Sequence, residues 1–147
     1  MPAHDVNQQT LSSVPGECPE CGAAQAPLTC RQRLELLLAW EVDDEALRAQ
    51  HFLTVASFNL QHPAAFTAEA TAGLAQALAG YLDGRLTIAD IRRRASGAAR
   101  VHRPAHEVRP RKRSWPMTID AVAVPEQPAG AAPRVLAWAE SIRRSLG

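Results

Sequence analysis

The chain has 147 residues, a formal net charge of +1, 46% hydrophobic residues and three cysteines. That length buries an ordinary core without disulfides, and an odd cysteine count that includes a C-x-x-C excludes a secreted disulfide framework. Near-neutral charge predicts no global attraction to nucleic acid or to a membrane, and no apolar run reaches the length that spans a bilayer.

In chain order, residues 1–15 are polar and lack apolar periodicity, which predicts a mobile tail. They hold no basic segment followed by an apolar one, so no signal peptide is expected and the expected location is cytoplasmic. Cys18-Pro19-Glu20-Cys21-Gly22 follows. Two thiols two residues apart fold the backbone around a tetrahedral ion, and a glycine behind them can take positive φ so that amide N–H groups point at the thiolates. Residues 23–29 read as a loop leading to the third thiol, Cys30.

From Arg31 the pattern is helical, with Thr29 as N-cap and Leu34, Leu37, Leu38 and Val42 recurring at three and four. Asp43-Asp44 breaks that helix and caps a second over about Glu45 to Gln61, striped by Leu47, Phe52, Val55, Ala56 and Leu60 and ended by Pro63. Thr67 caps a third helix through Leu74, Leu78 and Leu82 to Gly84, and Thr87 a short fourth from Ile88 to about Ala95. The Arg-, His- and Pro-rich stretch from Arg92 to Arg113 predicts a loop or extended arm. Residues 119–124 read as either a short helix capped by Thr118 or a strand, and residues 125–132 as a linker. Pro133 at N1 then opens a last helix with Val135, Trp138, Ala139, Ile142 and Leu146 on one face. The expectation is a mainly α protein: residues 16–147 form one small helical domain with a zinc knuckle at its N-terminal end and a basic arm at 92–113.

Cys18, Cys21 and Cys30 need one more ligand to complete a Zn²⁺ shell, and His51 and His62 are the candidates. They stand eleven residues apart, so on an unbroken helix they share a face but lie roughly 16 Å apart along the axis. Metal–ligand bonds of about 2.0–2.3 Å forbid joint ligation of one ion. If the first two helices form a hairpin across Asp43-Asp44, the chain returns to the level of Cys30 midway between the histidines, and the knuckle lies further from the turn. His62 is therefore the favoured fourth ligand and His51 the alternate, a packed and hydrogen-bonded histidine otherwise. A redox C-x-x-C is the competing reading, but such pairs sit between a strand and a helix, and it leaves Cys30 unexplained. Iron could occupy the same ligands, although a thiolate-rich tetrahedral set favours zinc.

The run His51-Phe52-Leu53-Thr54-Val55 with Leu60-Gln61-His62-Pro63, taken with the knuckle and Cys30, resembles an uncharacterised bacterial family, domain of unknown function 5946. Trp115-Pro116-Met117-Thr118 and Val135-Leu136-Ala137-Trp138-Ala139 are similar to its second half. The resemblance implies a small soluble bacterial protein in which Cys18, Cys21, Cys30, His51 and His62 match the pattern's sulfur and nitrogen positions. It implies no activity.

Arg92, Arg93, Arg94, Arg100, Arg103, Arg109, Arg111, Lys112 and Arg113 make the basic arm, opposed within it by Glu107. Beside Trp115 such an arm suits phosphate contacts with stacking on a base; the plainer reading is a solvated loop. Glu41, Asp43 and Asp44 read as caps or solvated charges, and Ser57 has no base and acid partner in sequence. No phosphate-cradling Gly-rich loop is present. The expected function is a zinc-stabilised helical module that binds a protein or nucleic acid, the alternative being a hydrolase-like metallo-enzyme with water in the fourth zinc position.

Overall fold

In a computed structural model, which describes residues 16–96 and 100–147, Thr29 starts the helical part of the chain. The expected tail, residues 1–15, lies outside the described residues. The Thr29 hydroxyl accepts the Gln32 amide at 3.2 Å while the Gln32 side chain accepts the Thr29 amide at 2.9 Å. This reciprocal box satisfies two N–H groups that a helix start would otherwise leave unpaired. Helix α1 (Cys30–Trp40) follows, so Cys30 is its first residue. It ends before Val42, which is 75% exposed and not part of the apolar stripe expected for it.

Asp44 caps α2 (Glu45–Ala49) by accepting the Leu47 amide at 2.9 Å. The single helix expected over 45–61 is in fact two, because Gln50 leaves helical geometry at φ −103°, ψ 21° and α3 (His51–Gln61) starts after it. The Gln50 amide closes on Leu47 O, a tighter turn than the α-helical one. A stripe of residue types carries no record of such a dihedral change. Helix α3 is the centre of the fold: Leu53, Thr54, Ala56, Ser57, Phe58, Leu60 and Gln61 are buried, and it meets α1, α2, α4 (Ala68–Leu82) and α6 (Ala131–Leu146). A helix buried on most of its surface is a core helix.

Thr67 caps α4 through the Ala70 amide. Thr87 and Asp90 cap α5 (Ile88–Ser96) reciprocally, and α5 buries no residue. Of the two readings for 119–124 the short helix is the one found: Ile119–Ala121 form a 3-10 helix after Thr118, whose side chain makes no capping bond, and it packs Ile119 against α1. The stretch read as a linker is pinned: the Arg134 guanidinium donates to the carbonyls of Val122, Gln127 and Ala129 at 2.6–2.9 Å. Helix α6 also starts two residues earlier than expected, after Gly130, which puts Pro133 at the third helical position. Its missing N–H is harmless there too, since the first four amides of a helix have no intrahelical partner. Leu146, expected on the buried face, is 38% exposed.

The basic segment is not a free arm. Arg92, Arg93 and Arg94 lie within α5. Residues 100–113 form a strap across the molecule: a bridge pairs Phe66 with His102, the Arg103 amide donates to Ala65 O, and the Arg113 amide donates to Glu20 O in the knuckle. The described residues are thus mainly helical around fully buried Trp138, Leu37, Leu78 and Ile142, with the cysteine knuckle at their N-terminal end. None of the described helices is long and apolar enough to cross a membrane.

Candidate metal centre

The knuckle is a tight hairpin. Glu17 bridges Ala24, the Cys18 amide donates to Ala23 O at 2.8 Å, and the Gly22 amide donates to Cys18 O at 3.0 Å. Gly22 has φ +82°, a left-handed conformation that favours glycine in the turn, and a Cβ there would also press on the Lys112 side chain at 3.2 Å. The turn aims amides at sulfur: Glu20 N–H donates to Cys18 Sγ and Ala23 N–H to Cys21 Sγ, both at 3.4 Å. Gln25 Nε2 donates to Cys30 Sγ at 3.3 Å. These donors, with the N-terminus of α1 beneath Cys30, stabilise negative charge on sulfur.

His62 arrives from the opposite side as the C-terminal cap of α3. Its Nδ1 lies 2.7 Å from Phe58 O, and since a carbonyl only accepts, Nδ1 carries the proton. In the neutral ring the other nitrogen, Nε2, bears the lone pair; it is buried and has no hydrogen-bond partner. The imidazole also stacks on the Phe58 ring at 4.2 Å between centroids. Backbone-anchored Nδ1 with free Nε2 is the arrangement of a metal-ligating histidine.

The ligand atoms of Cys18, Cys21, Cys30 and His62 all lie within 4.8 Å of one another, close enough to hold a metal ion. All three cysteines are free and buried. Cys21 Sγ and Cys30 Sγ are 3.6 Å apart, near the edge of roughly 3.8 Å that tetrahedral bonds of about 2.3 Å to sulfur require. The two thiols share a proton. The hydrogen bond from Cys21 holds Cys30 down at about 4, against desolvation and with smaller help from Gln25. The same bond, with burial second, pushes Cys21 far above the usual thiol range. The pair thus titrates as a unit, with Cys30 as the more acidic thiol.

His51 stands apart from this cluster. It is exposed, and its Nδ1 meets both carboxylate oxygens of Glu41 at 3.0–3.1 Å. The ring is thus neither a ligand in this geometry nor the packed core histidine expected otherwise. Asp44 is a cap, and Ser57 Oγ is buried with no hydrogen-bond partner, so no base activates it.

Two residues missed by the sequence reading hold the site in place. Glu20 Oε1 accepts the Ala64 amide at 2.9 Å, which ties the knuckle to the chain two residues after His62. Gln61 is 1% exposed; its Nε2 donates to Met117 O at 2.8 Å and its Oε1 accepts the Trp138 Nε1–H at 3.1 Å. Gln61-His62-Pro63 thus divides its work: Gln61 locks the end of α3 to α6 and the 115–118 loop, His62 turns to the sulfurs, and Pro63 leaves the helix. An acid inside a C-x-x-C and a glutamine beside a histidine were the available signals.

With this geometry in place, the chain belongs to the family of unknown function DUF5946, whose model matches residues 16–147. The matched span contains the knuckle, Cys30, His62 and the Gln61–Trp138 bond. No curated protein and no solved structure matches the chain.

Proposed function

We propose that in this member of DUF5946 Cys18, Cys21, Cys30 and His62 hold one Zn²⁺ in a closed S₃N shell. The ion organises a helical module that works by binding a protein or nucleic-acid partner, not by catalysis. The observation that carries the reading is His62 Nε2, buried and unpaired beside three sulfurs that already receive N–H donors. An unsatisfied buried nitrogen is costly unless a ligand satisfies it. Thiolate-rich tetrahedral sets select zinc among the common divalent ions. Bound there, zinc supplies a cross-link between the knuckle, the start of α1 and the end of α3.

The alternative, a hydrolytic centre with water in the fourth place, needs an open position and a nearby base. It is disfavoured because four protein ligands are at hand and the carboxylate within the knuckle, Glu20, is occupied by the Ala64 amide. The partner surface of the module is the basic strap 100–113. Three free thiols and no disulfide suit a reducing compartment, in keeping with a cytoplasmic location.

The test is the metal content of protein purified without chelator: about one zinc per chain is expected from a single tetrahedral ligand set. Folded protein that carries no metal overturns the reading.

A further inference from the structure

Beneath the strap lies a cavity of about 730 Å³, separate from the sulfur cluster. Its size falls within the roughly 300–1,000 Å³ of small-molecule sites. Leu60 and Pro63 after the central helix and Ala68, Ala72 and Ala75 on one face of α4 line it on the apolar side. Arg103, Arg109, Arg111 and Arg113 also line it, against two acids, Glu20 and Glu107.

The arginines are arranged by the backbone. Residues 108–114 form no helix, and in an extended segment side chains alternate between faces. Arg109, Arg111 and Arg113 therefore share the cavity side, while Lys112 points the other way to Glu17. Arg109 and Arg113 are already partly used: Arg109 donates to His106 O and Val108 O, and Arg113 donates to Ser145 O and covers the Trp115 ring at 4.4 Å. Among the described residues, Arg103 and Arg111 form no ion pair or side-chain hydrogen bond. Glu20 accepts the Ala64 amide and pairs with neither, so four guanidinium groups stand against two carboxylates in the lining.

We propose that this cavity binds a small organic anion, a carboxylate or phosphate group on a compact apolar body. The anion sits between Arg103 and Arg111, and the body lies on the apolar face of α4. A planar guanidinium matches both headgroups through paired N–H donors. A single strand of nucleic acid is the weaker fit, because Arg113 already covers one face of Trp115, the one aromatic side chain lining the cavity. The site is distinct from the proposed zinc centre.

The test is NMR titration of the full-length, metal-loaded chain with phenyl phosphate, 3-phenylpropionate, inorganic phosphate and a short oligodeoxythymidylate. Zinc content is measured for every variant first, so that loss of the metal is not mistaken for loss of the cavity. Saturable shifts of the Ala68, Ala72 and Ala75 amides are expected with either aromatic anion, and which of the two binds tighter identifies the headgroup. Arg103→Gln with Arg111→Gln should weaken binding about tenfold or more, as loss of charge-assisted hydrogen bonds does. Ala72→Leu, a good helix former that fills the cavity and keeps every charge, should abolish it. Inorganic phosphate binding as tightly as phenyl phosphate without moving the α4 amides, oligonucleotide binding alone, retained binding in Ala72→Leu, or no response to any probe each overturns the proposal.

Discussion

His62 Nδ1 donates to the Phe58 carbonyl at 2.7 Å, one turn back along its own helix. That one bond sets the tautomer, fixes the ring plane against Phe58 and leaves Nε2 as a lone pair beside three sulfurs. The last turn of α3 therefore acts as the outer support of the proposed zinc centre. Such outer partners orient a ligand and raise its basicity. Because a backbone carbonyl does this, no side-chain substitution at Phe58 removes it.

Cys18→Ser and Cys21→Ser should each release zinc and lower stability by several kcal/mol, since binding energy at a structural site is folding energy. Metal analysis and thermal melting check this together. An unchanged melting midpoint with full metal content in either variant would remove the knuckle from the account.

The two histidines should behave differently. His62→Ala should open the fourth position and weaken zinc binding while the three sulfurs still hold the ion. His51→Ala should keep full metal content and cost about 1–3 kcal/mol, because it leaves the largely buried Glu41 carboxylate without its partner. Competition with a chelator measures both affinities; equal loss in the two variants would mean that α3 rearranges around the metal.

Gln61→Leu keeps the side chain's size but strands the buried Trp138 indole N–H and Met117 carbonyl, at a cost of about 2–4 kcal/mol. Denaturant unfolding at constant slope reads that loss. A neutral result would show that the two groups find other partners.

In metal-free protein the sulfur pair gives stability a signed pH dependence. Cys30 sits at about 4 when folded against 9.0 ordinarily, so its contribution is complete above pH 9 and is lost as pH falls toward 4. Cys21 is raised, so its contribution is present below pH 9 and is lost as pH climbs beyond it. The metal-free fold should therefore be most stable near pH 9, and Cys30→Ser should flatten the acid side of the curve. A flat profile between pH 5 and 9 in the unsubstituted chain contradicts the shared proton.

What could be read from the residues was local. Thr29 with Gln32, Asp44 and Thr67 are caps whose chemistry acts within a turn, and the glycine behind Cys21 follows from the hairpin those thiols need. The eleven-residue separation of His51 and His62 required a choice between them, and the fold brings His62 to the sulfurs. Other features were set by contacts between segments distant in sequence. The break at Gln50 is a dihedral change within an unbroken apolar stripe. The loop before α6 looked like a linker because Arg134, which pins it, carries no sign of its acceptors. The strap looked like a free arm because its anchors, Ala65 and Glu20, lie 38 and 93 residues before their partners Arg103 and Arg113.

X-ray absorption at the zinc edge of the purified chain tests the central claim most directly. The account predicts three sulfurs at about 2.3 Å and one imidazole nitrogen at about 2.0–2.1 Å, with no oxygen. A shell with two sulfurs, or with a water oxygen in place of His62, would contradict it.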